Sequence, residues 1–219
     1  MTLLSTKVGP LCLKTPLLNA SGCFWPEVFN QLFALEDTLG MVVSKTVKPL
    51  AQPGNTQQRT VEIPGVGMLN SIGLQGKGID GYLAEELPDT ASYGVPVMVS
   101  LAATNPDKFA EMTQKTLKQA VPVAAFEVNL SCPNVKEGGA DQGTSPDWIR
   151  EVITAVASEA KNTPLFAKVT PNITSTLPLA EAALDAGATG ITAINTVFGL
   201  PIDVTRKKPS YQVSSGPWA

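Results

Sequence analysis

The sequence predicts an α/β protein of the TIM (β/α)8-barrel class, an incomplete barrel that lacks about the last two βα units. Short apolar runs alternate with helix-like stretches, which is the pattern of repeated parallel βα units. The glycine fingerprint of an open nucleotide-binding sheet is missing, because Gly65 and Gly67 are followed by Asn70 where GxGxxG needs its third glycine. Polar residues follow nearly every apolar run, at the strand ends that converge on one face of a parallel barrel.

The predicted strands are rich in Val, Ile and Phe, as strands covered on both faces tend to be. They comprise residues 16–20, 41–45, 97–101, 124–130, 165–169 and 191–195. Helices are predicted at residues 26–36, 106–119, 145–161 and 177–186. Ser145 is the expected N-cap of the third helix, with Pro146 in its first turn, and Gly187 closes the fourth. We expect one domain over residues 1–219.

Residues 49–87 depart from this alternation, because they are rich in glycine and show little helical or strand period. A long glycine-rich segment is usually either disordered or a functional loop packed over a site. Apolar residues such as Ile63, Leu69 and Ile72 favour the ordered loop.

The composition excludes several classes of protein. With 219 residues, 43% hydrophobic and 16% charged, the chain can bury one large core. A formal charge of −3 offers no basic face to nucleic acid. Cys12, Cys23 and Cys132 form no CxxC pair, which argues against disulfides and a zinc site, so no metal is expected. The sequence shows no signal peptide and no membrane span, and a cytoplasmic location is expected.

The polar residues at the strand ends indicate where chemistry occurs. In a parallel barrel these ends converge on one catalytic face. There is no histidine, so acid–base chemistry must use Cys, Lys, Tyr or a carboxylate. A single polar residue at a strand end is ordinary, but a set that includes two lysines is harder to explain structurally. The set is Ser21, Ser44, Lys45, Thr46, Ser100, Asn129, Lys168 and Asn195.

The most informative local motif is NLSCPN at residues 129–134, followed by Gly138 and Gly139. It begins at a strand end and continues into a loop with glycine hinges, which suits a lid that carries a reactive group. A lone cysteine is usually a small buried hydrophobe. That reading is weaker for Cys132, which lies in a polar loop between two asparagines.

These motifs resemble class 1 dihydroorotate dehydrogenases along nearly the whole chain. The resemblance rests on NLSCPN, on MLNSIGL at residues 68–74, on ASG at 20–22, on Lys45-Thr46, on Lys168 and on Asn195-Thr196. NVKEGG at 134–139, GT at 143–144 and INT at 194–196 are more similar to class 1B than to class 1A. Class 1B members often carry Asn where this chain has Ser100.

The resemblance implies a role for each matching residue. Cys132 would be the catalytic base, and Lys45 would touch both flavin and substrate. Further substrate contacts would be Asn70, Ser71, Ile72, Gly73, Leu74, Asn129, Asn134, Asn195 and Thr196. Cofactor contacts would be Ser21, Lys45, Thr46, Ser100, Asn129, Lys168, Ile194 and Gly216. Alone, an asparagine in a loop is usually a turn residue, and a strand-end lysine can extend into solvent.

The resemblance further implies FMN as cofactor and the oxidation of (S)-dihydroorotate to orotate in pyrimidine synthesis. It implies a homodimeric core and a partner electron-transfer subunit that carries FAD and an iron–sulfur cluster and passes electrons to NAD. Two alternatives stay open. One is a related FMN barrel that acts on another dihydropyrimidine, such as dihydropyrimidine dehydrogenase, and the other is an inactive truncated fragment.

Overall fold

The computed structural model describes residues 4–23, 28–29, 31, 34–56, 59–65, 67–131 and 142–209. The strands in chain order are β1 Thr6–Val8, β2 Leu11–Leu13, β3 Val42–Val43, β4 Thr60–Ile63, β5 Gly67–Asn70, β6 Val97–Leu101, β7 Ala125–Asn129, β8 Leu165–Lys168, β9 Gly190–Thr192, β10 Ile202–Asp203 and β11 Lys208–Pro209. The helices are α1 Leu35–Thr38, α2, which joins Gly78–Gly81, a π-helical Tyr82–Glu86 and Leu87–Ser92, then α3 Pro106–Leu117, α4 Pro146–Ala160 and α5 Leu177–Asp185.

The central sheet contains five parallel strands in the order β3-β6-β7-β8-β9. Each new strand joins the same side of the sheet, so strand order follows chain order. A doubly wound sheet reverses direction at a switch point, whereas a barrel adds strands in one direction only. The order therefore confirms the prediction of part of a (β/α)8 barrel.

Helices α2 to α5 connect these strands and cover the outer face of the sheet. Their apolar stripes pack on the outward-facing side chains of β6, β7 and β8 in one large core. The predicted start of α4 and the predicted glycine after α5 are confirmed. Ser145 Oγ accepts the Trp148 N–H at 3.4 Å and Pro146 begins α4. Gly187, with φ of 106°, follows α5 in the left-handed region that glycine adopts most readily.

The inner face of the sheet changes character along the strands. Towards their amino ends it is apolar, where Met98, Ala125 and Phe166 form a second core cluster with Leu13 of β2. The β1–β2 hairpin, which sequence patterns did not predict, supplies Leu13 and covers that end. Towards the carboxyl ends the same face carries buried polar side chains, namely Ser100, Glu127, Asn129 and Lys168.

Two predictions near the amino terminus were wrong. Residues 16–20 contribute only a single parallel bridge, between Leu18 and Met41. The Asn19 side chain replaces the backbone ladder, since Oδ1 accepts the Val43 N–H at 2.8 Å and Nδ2 donates to the Val43 carbonyl at 2.7 Å. A continuous helix over residues 26–36 is excluded because Ala34 is extended, with φ of −69° and ψ of 103°. Part of that range lies outside the described residues.

The segment 49–87 is more regular than its sequence suggested. β4 and β5 form an antiparallel pair, and α2 begins at Gly78. Glycines at both ends of the first helical segment and Pro88 in the last one obscure the helical period. The expectation of an ordered segment is confirmed, but a β pair and a helix form where an ordered loop was expected.

Candidate active site

Hydroxyl and amide side chains from neighbouring segments meet at the carboxyl ends of the strands. Thr46 lies at the centre, with its Oγ1 3.0 Å from Ser21 Oγ and 3.0 Å from Ser100 Oγ. Asn129 Nδ2 donates to Thr46 Oγ1 at 3.3 Å, and Asn195 Nδ2 donates to Asn129 Oδ1 at 3.0 Å. We call these five residues the rim cluster. The sequence predicted all five as site residues, and the fold brings them together.

The strands fix the rim cluster through their register and their ends. Ser100 and Asn129 are buried on adjacent strands, and Thr46 directly precedes Val47, which forms a parallel bridge with Leu101. Asn195 lies beyond the end of β9, where its N–H donates to the Val169 carbonyl at 3.0 Å. Backbone hydrogen bonds therefore hold the segments that carry the rim cluster.

Lys168 adds a buried positive charge beside the rim cluster. Its Cα pairs with that of Asn129 across β7 and β8, and the residue is only 7% exposed. Lys168 Nζ lies 3.8 Å from Oε1 of Glu127, which is 2% exposed. The alternative of a solvated strand-end lysine is therefore wrong for Lys168.

Lys45 follows β3 closely and differs from Lys168 in being exposed. It lines a surface cleft together with Leu74, Tyr82 and Glu86. Partial burial lowers the pKa of Lys45, the negative charge of Glu86 opposes this shift, and the positive charge of Arg59 adds to it. Burial raises the pKa of the Tyr82 hydroxyl, so that Tyr82 stays protonated at neutral pH.

Asn55 forms hydrogen bonds to the predicted substrate segment, Asn70 to Leu74. Asn55 Nδ2 donates to the Ser71 carbonyl at 3.0 Å and to Ser71 Oγ at 2.8 Å. The Asn55 N–H donates to the Ile72 carbonyl at 3.0 Å. The chain turns at Gly73, whose φ of 73° lies in the left-handed region. These bonds fix the backbone shape of the segment.

Gly73→Ala should destabilise the protein by more than the cost of placing alanine in the left-handed region. A Cβ at Gly73 would lie 2.7 Å from the Asn55 backbone nitrogen, so the two segments must separate. Gly94→Ala is the matched control, because Gly94 has φ of 71° and no atom lies within 4 Å of the position that its Cβ would take. Each variant carries a backbone cost of about 1–2 kcal/mol. Urea unfolding should show a clearly larger decrease in the free energy of unfolding for Gly73→Ala than for Gly94→Ala. Equal decreases would contradict the close-packing explanation.

The segment after β9 reaches towards the β4–β5 pair. Asn172 Nδ2 donates to the Thr196 carbonyl at 3.1 Å, and Asn172 Oδ1 accepts the Phe198 N–H at 2.9 Å. A Cβ at Gly199 would lie 2.9 Å from Leu69 Cδ2, so the two segments touch. Thr196 and Ile194 are exposed on this segment. The β4–β5 pair therefore contacts the segment that follows β9.

Three predicted site residues, Cys132, Asn134 and Gly216, lie outside the described residues. Two residues that sequence patterns did not single out emerge from the structure, Glu127 and Asn55. A signal for Glu127 was present, because a carboxylate inside the apolar run 124–130 needs a buried partner. Asn55 had no such signal, since its role depends on a contact 16 residues away along the chain.

Two other kinds of functional feature are absent from the described residues. In that part of the chain no group of three or more His, Cys, Asp or Glu side chains could hold a metal ion. None of the helices described has the length and apolar character needed to cross a membrane.

Comparison with known proteins agrees with this geometry. The sequence profile of the family described as "Dihydroorotate dehydrogenase" matches residues 3–217. The catalytic subunit of dihydroorotate dehydrogenase B (NAD(+)) from Anoxybacillus flavithermus is 40% identical over 210 residues, covering 95% of this chain and 66% of that protein. The same subunit from Geotalea uraniireducens is 39% identical over 207 residues, covering 94% and 67%. The chain thus spans about two thirds of the length of these curated relatives.

The fold has a counterpart among solved structures. The crystal structure of the Eimeria tenella dihydroorotate dehydrogenase in complex with ferulenol matches with a TM-score of 0.72. The identity is 21%, and the match covers 99% of this chain and 65% of that one. By its match to the family profile and its identity to the bacterial subunits, the chain belongs to the dihydroorotate dehydrogenase family.

Proposed function

We propose that the protein to which this chain belongs oxidises (S)-dihydroorotate to orotate with FMN as cofactor, in the synthesis of pyrimidines. The observation that carries the proposal is the rim cluster with Lys168 beside it, at the carboxyl ends of a parallel barrel sheet. Barrel enzymes place their active sites at this face. Family membership supplies the choice of reaction.

The residues at this face fit a flavin. A flavin ring presents carbonyl and N–H groups along one edge, and amides and hydroxyls can serve as both donors and acceptors. Ser131 Oγ is buried at the same face and has no hydrogen-bond partner among the described residues, so it can serve a ligand. We propose that Ser21, Lys45, Thr46, Ser100, Asn129, Lys168, Ile194 and Gly216 hold FMN. When bound, FMN accepts the hydride from the substrate.

The substrate would lie between the rim cluster and the β4–β5 side of the face. Asn70, Asn129, Asn134 and Asn195 offer paired donors and acceptors, which suit the alternating carbonyl and N–H groups of a dihydropyrimidine ring. Ser71 to Leu74 and Thr196 would complete the binding surface. Lys45 lines the same cleft as Leu74 and would attract the substrate carboxylate. Lys168, deeper in the sheet, would place positive charge at the flavin edge.

We propose that Cys132 takes the proton from C5 of dihydroorotate. The family resemblance implies this role, and two other candidate groups are less suited to it. Burial keeps Tyr82 protonated, and Glu127 is engaged by Ser100 and Lys168. A thiol has an ordinary pKa of about 8.5, so a modest decrease lets it act near neutral pH. Cys132 follows Ser131 in the chain just after the carboxyl end of β7, which carries Asn129 of the rim cluster.

The named relatives are catalytic subunits of an NAD(+)-linked enzyme. We therefore propose a separate electron-transfer subunit with FAD and an iron–sulfur cluster, and a homodimeric catalytic core. We also propose a single domain over residues 1–219 and a cytoplasmic location.

The test is the visible spectrum of the purified protein after incubation with FMN and removal of unbound flavin. Anaerobic addition of dihydroorotate should bleach the oxidised-flavin band, whereas dihydrouracil should leave it unchanged. Bleaching by dihydrouracil alone would instead indicate an enzyme for another dihydropyrimidine. A protein that binds FMN but is bleached by neither compound would contradict the proposed reaction, and one that binds no FMN would contradict the proposed cofactor.

A further inference from the structure

Glu127 is a buried carboxylate that the proposed chemistry does not use. It lies in the middle of β7, two residues before Asn129, on the inner face of the sheet. Its Oε1 accepts a hydrogen bond from Ser100 Oγ at 2.8 Å and lies 3.8 Å from Lys168 Nζ. Burying an ionised carboxylate is costly unless other groups stabilise the charge. The position therefore requires an explanation.

The hydrogen-bond chemistry of Glu127 sets the direction of the hydrogen bonds that link four residues of the rim cluster, namely Ser100, Thr46, Asn129 and Asn195. An ionised carboxylate can only accept, so the Ser100 hydroxyl must donate to it. Ser100 Oγ can then accept from the Thr46 hydroxyl, and Thr46 accepts from the Asn129 amide. Asn129 Oδ1 in turn accepts from Asn195. The donors of Asn195, Asn129, Thr46 and Ser100 point along one path that ends at Glu127, and hydrogen bonds linked in this way strengthen one another. Ser21 lies outside this path, because its Oγ donates to the Ser44 carbonyl at 2.8 Å.

The charge of Glu127 also acts on Lys168. The distance of 3.8 Å is too long for a hydrogen bond, so the attraction between the two groups is coulombic. The donors of the ammonium group are thus not committed to Glu127. The carboxylate can hold the Lys168 side chain in place and offset part of its charge while leaving those donors for a ligand.

We propose that Glu127 is a positioning residue for both halves of the site. It orients the amides that would contact the substrate, through Ser100 and Thr46, and it moderates the positive charge that Lys168 presents to the cofactor. The second part rests on the proposed binding of FMN beside Lys168. The ion pair and the directed chain of hydrogen bonds do not depend on FMN.

The ion pair can be tested without cofactor by a double-mutant cycle on the purified protein. Glu127→Gln keeps an acceptor for Ser100 but removes the charge, and Lys168→Met removes the opposite charge. Each single change should lower the thermal midpoint by several degrees. The decrease in the double variant should be much smaller than the sum of the two single decreases. Additive losses would overturn the proposal. Glu151→Gln, an exposed glutamate on α4, is the control and should leave the midpoint unchanged.

The effect on the cofactor is tested by the midpoint potential of bound FMN. In Glu127→Gln the Lys168 charge is no longer offset, so reduction of the flavin should become about tenfold more favourable, a rise of about 30 mV for a two-electron couple. An unchanged potential would overturn the role of Glu127 towards the cofactor. If the unmodified protein bound no FMN, the proposed function would fail, and the double-mutant cycle would still decide on the ion pair.

The directed hydrogen bonds are tested by comparing two substitutions at one position. Glu127→Met removes the acceptor as well as the charge, so orotate should bind roughly five- to tenfold more weakly than to Glu127→Gln. Equal orotate affinity in the two folded variants would overturn the positioning role towards the amides. If Glu127→Met did not fold, the orotate affinity of Glu127→Gln would be compared with that of the unmodified protein. The two affinities should be nearly equal. A large loss of affinity in Glu127→Gln would mean that the charge of Glu127, and not its role as acceptor, matters, and would overturn the positioning role.

Discussion

Lys168→Met should reduce the stability of the protein and its affinity for FMN together. Removing one member of a buried ion pair leaves the other charge uncompensated, which costs about 3–5 kcal/mol in the free energy of unfolding. A hydrogen bond from a charged donor contributes about 1.5–3 kcal/mol, so loss of the ammonium should weaken FMN binding roughly 10- to 100-fold. Urea unfolding of the flavin-free protein and fluorescence titration with FMN measure the two effects separately.

Lys118→Met is the control for this prediction, because Lys118 is an exposed lysine at the end of α3. Lys118→Met should change neither the free energy of unfolding nor the affinity for FMN measurably. If Lys168→Met were as stable as the unmodified protein, Glu127 would have another counter-charge. If stability fell but FMN affinity did not, Lys168 would be purely structural and the proposed cofactor position would be wrong.

Cys132→Ala should slow the reduction of bound flavin by dihydroorotate by about 10²- to 10⁴-fold, the usual contribution of a positioned acid–base group. The variant should still bind FMN with an unchanged visible spectrum, because the thiol is proposed to act on the substrate alone. Anaerobic stopped-flow absorbance of the oxidised-flavin band measures the rate directly.

Cys23 provides a matched control, since it is a free and exposed thiol close to Ser21 of the rim cluster. Cys23→Ala should reduce flavin at the rate of the unmodified protein. Full activity in Cys132→Ala would exclude the thiol as the base. Loss of activity in both variants would point to a general effect of thiol removal on the fold.

Local sequence signals predicted the parts of the fold that depend on local interactions. Ser145 and Pro146 begin α4, and Gly187 follows α5, because capping needs only neighbouring residues. The parallel strands were also predicted to within a few residues, since apolar runs of that length are distinctive. The strand that was expected at residues 16–20 failed because Asn19 bonds Val43 with its side chain, a contact 24 residues distant in the chain.

The clustering of polar side chains was predictable for residues near the end of a strand, and less so for a residue in its middle. Sequence analysis grouped Thr46, Ser100 and Asn129 because strand ends converge in any parallel barrel, and the structure brings the three side chains together. Glu127 was overlooked because it stands within a strand and its partners Ser100 and Lys168 come from the strands on either side. Its role depends on strand register, which the sequence of one strand does not contain.

The inner face of the sheet is apolar at the amino ends of the strands and polar at their carboxyl ends, so that packing and polar contacts depend on different residues of the same strands. Alternate positions of β7 point to the same side, yet Ala125 serves the apolar core while Glu127 and Asn129 belong to the polar end. Substitutions at Ala125 would therefore be limited by core packing, and those at Asn129 by its hydrogen bonds to Thr46 and Asn195. Only a few ångströms of strand separate the apolar end of the inner face from its polar end. Polar residues at the carboxyl ends can therefore change, and binding specificity with them, while the apolar core at the amino ends is retained.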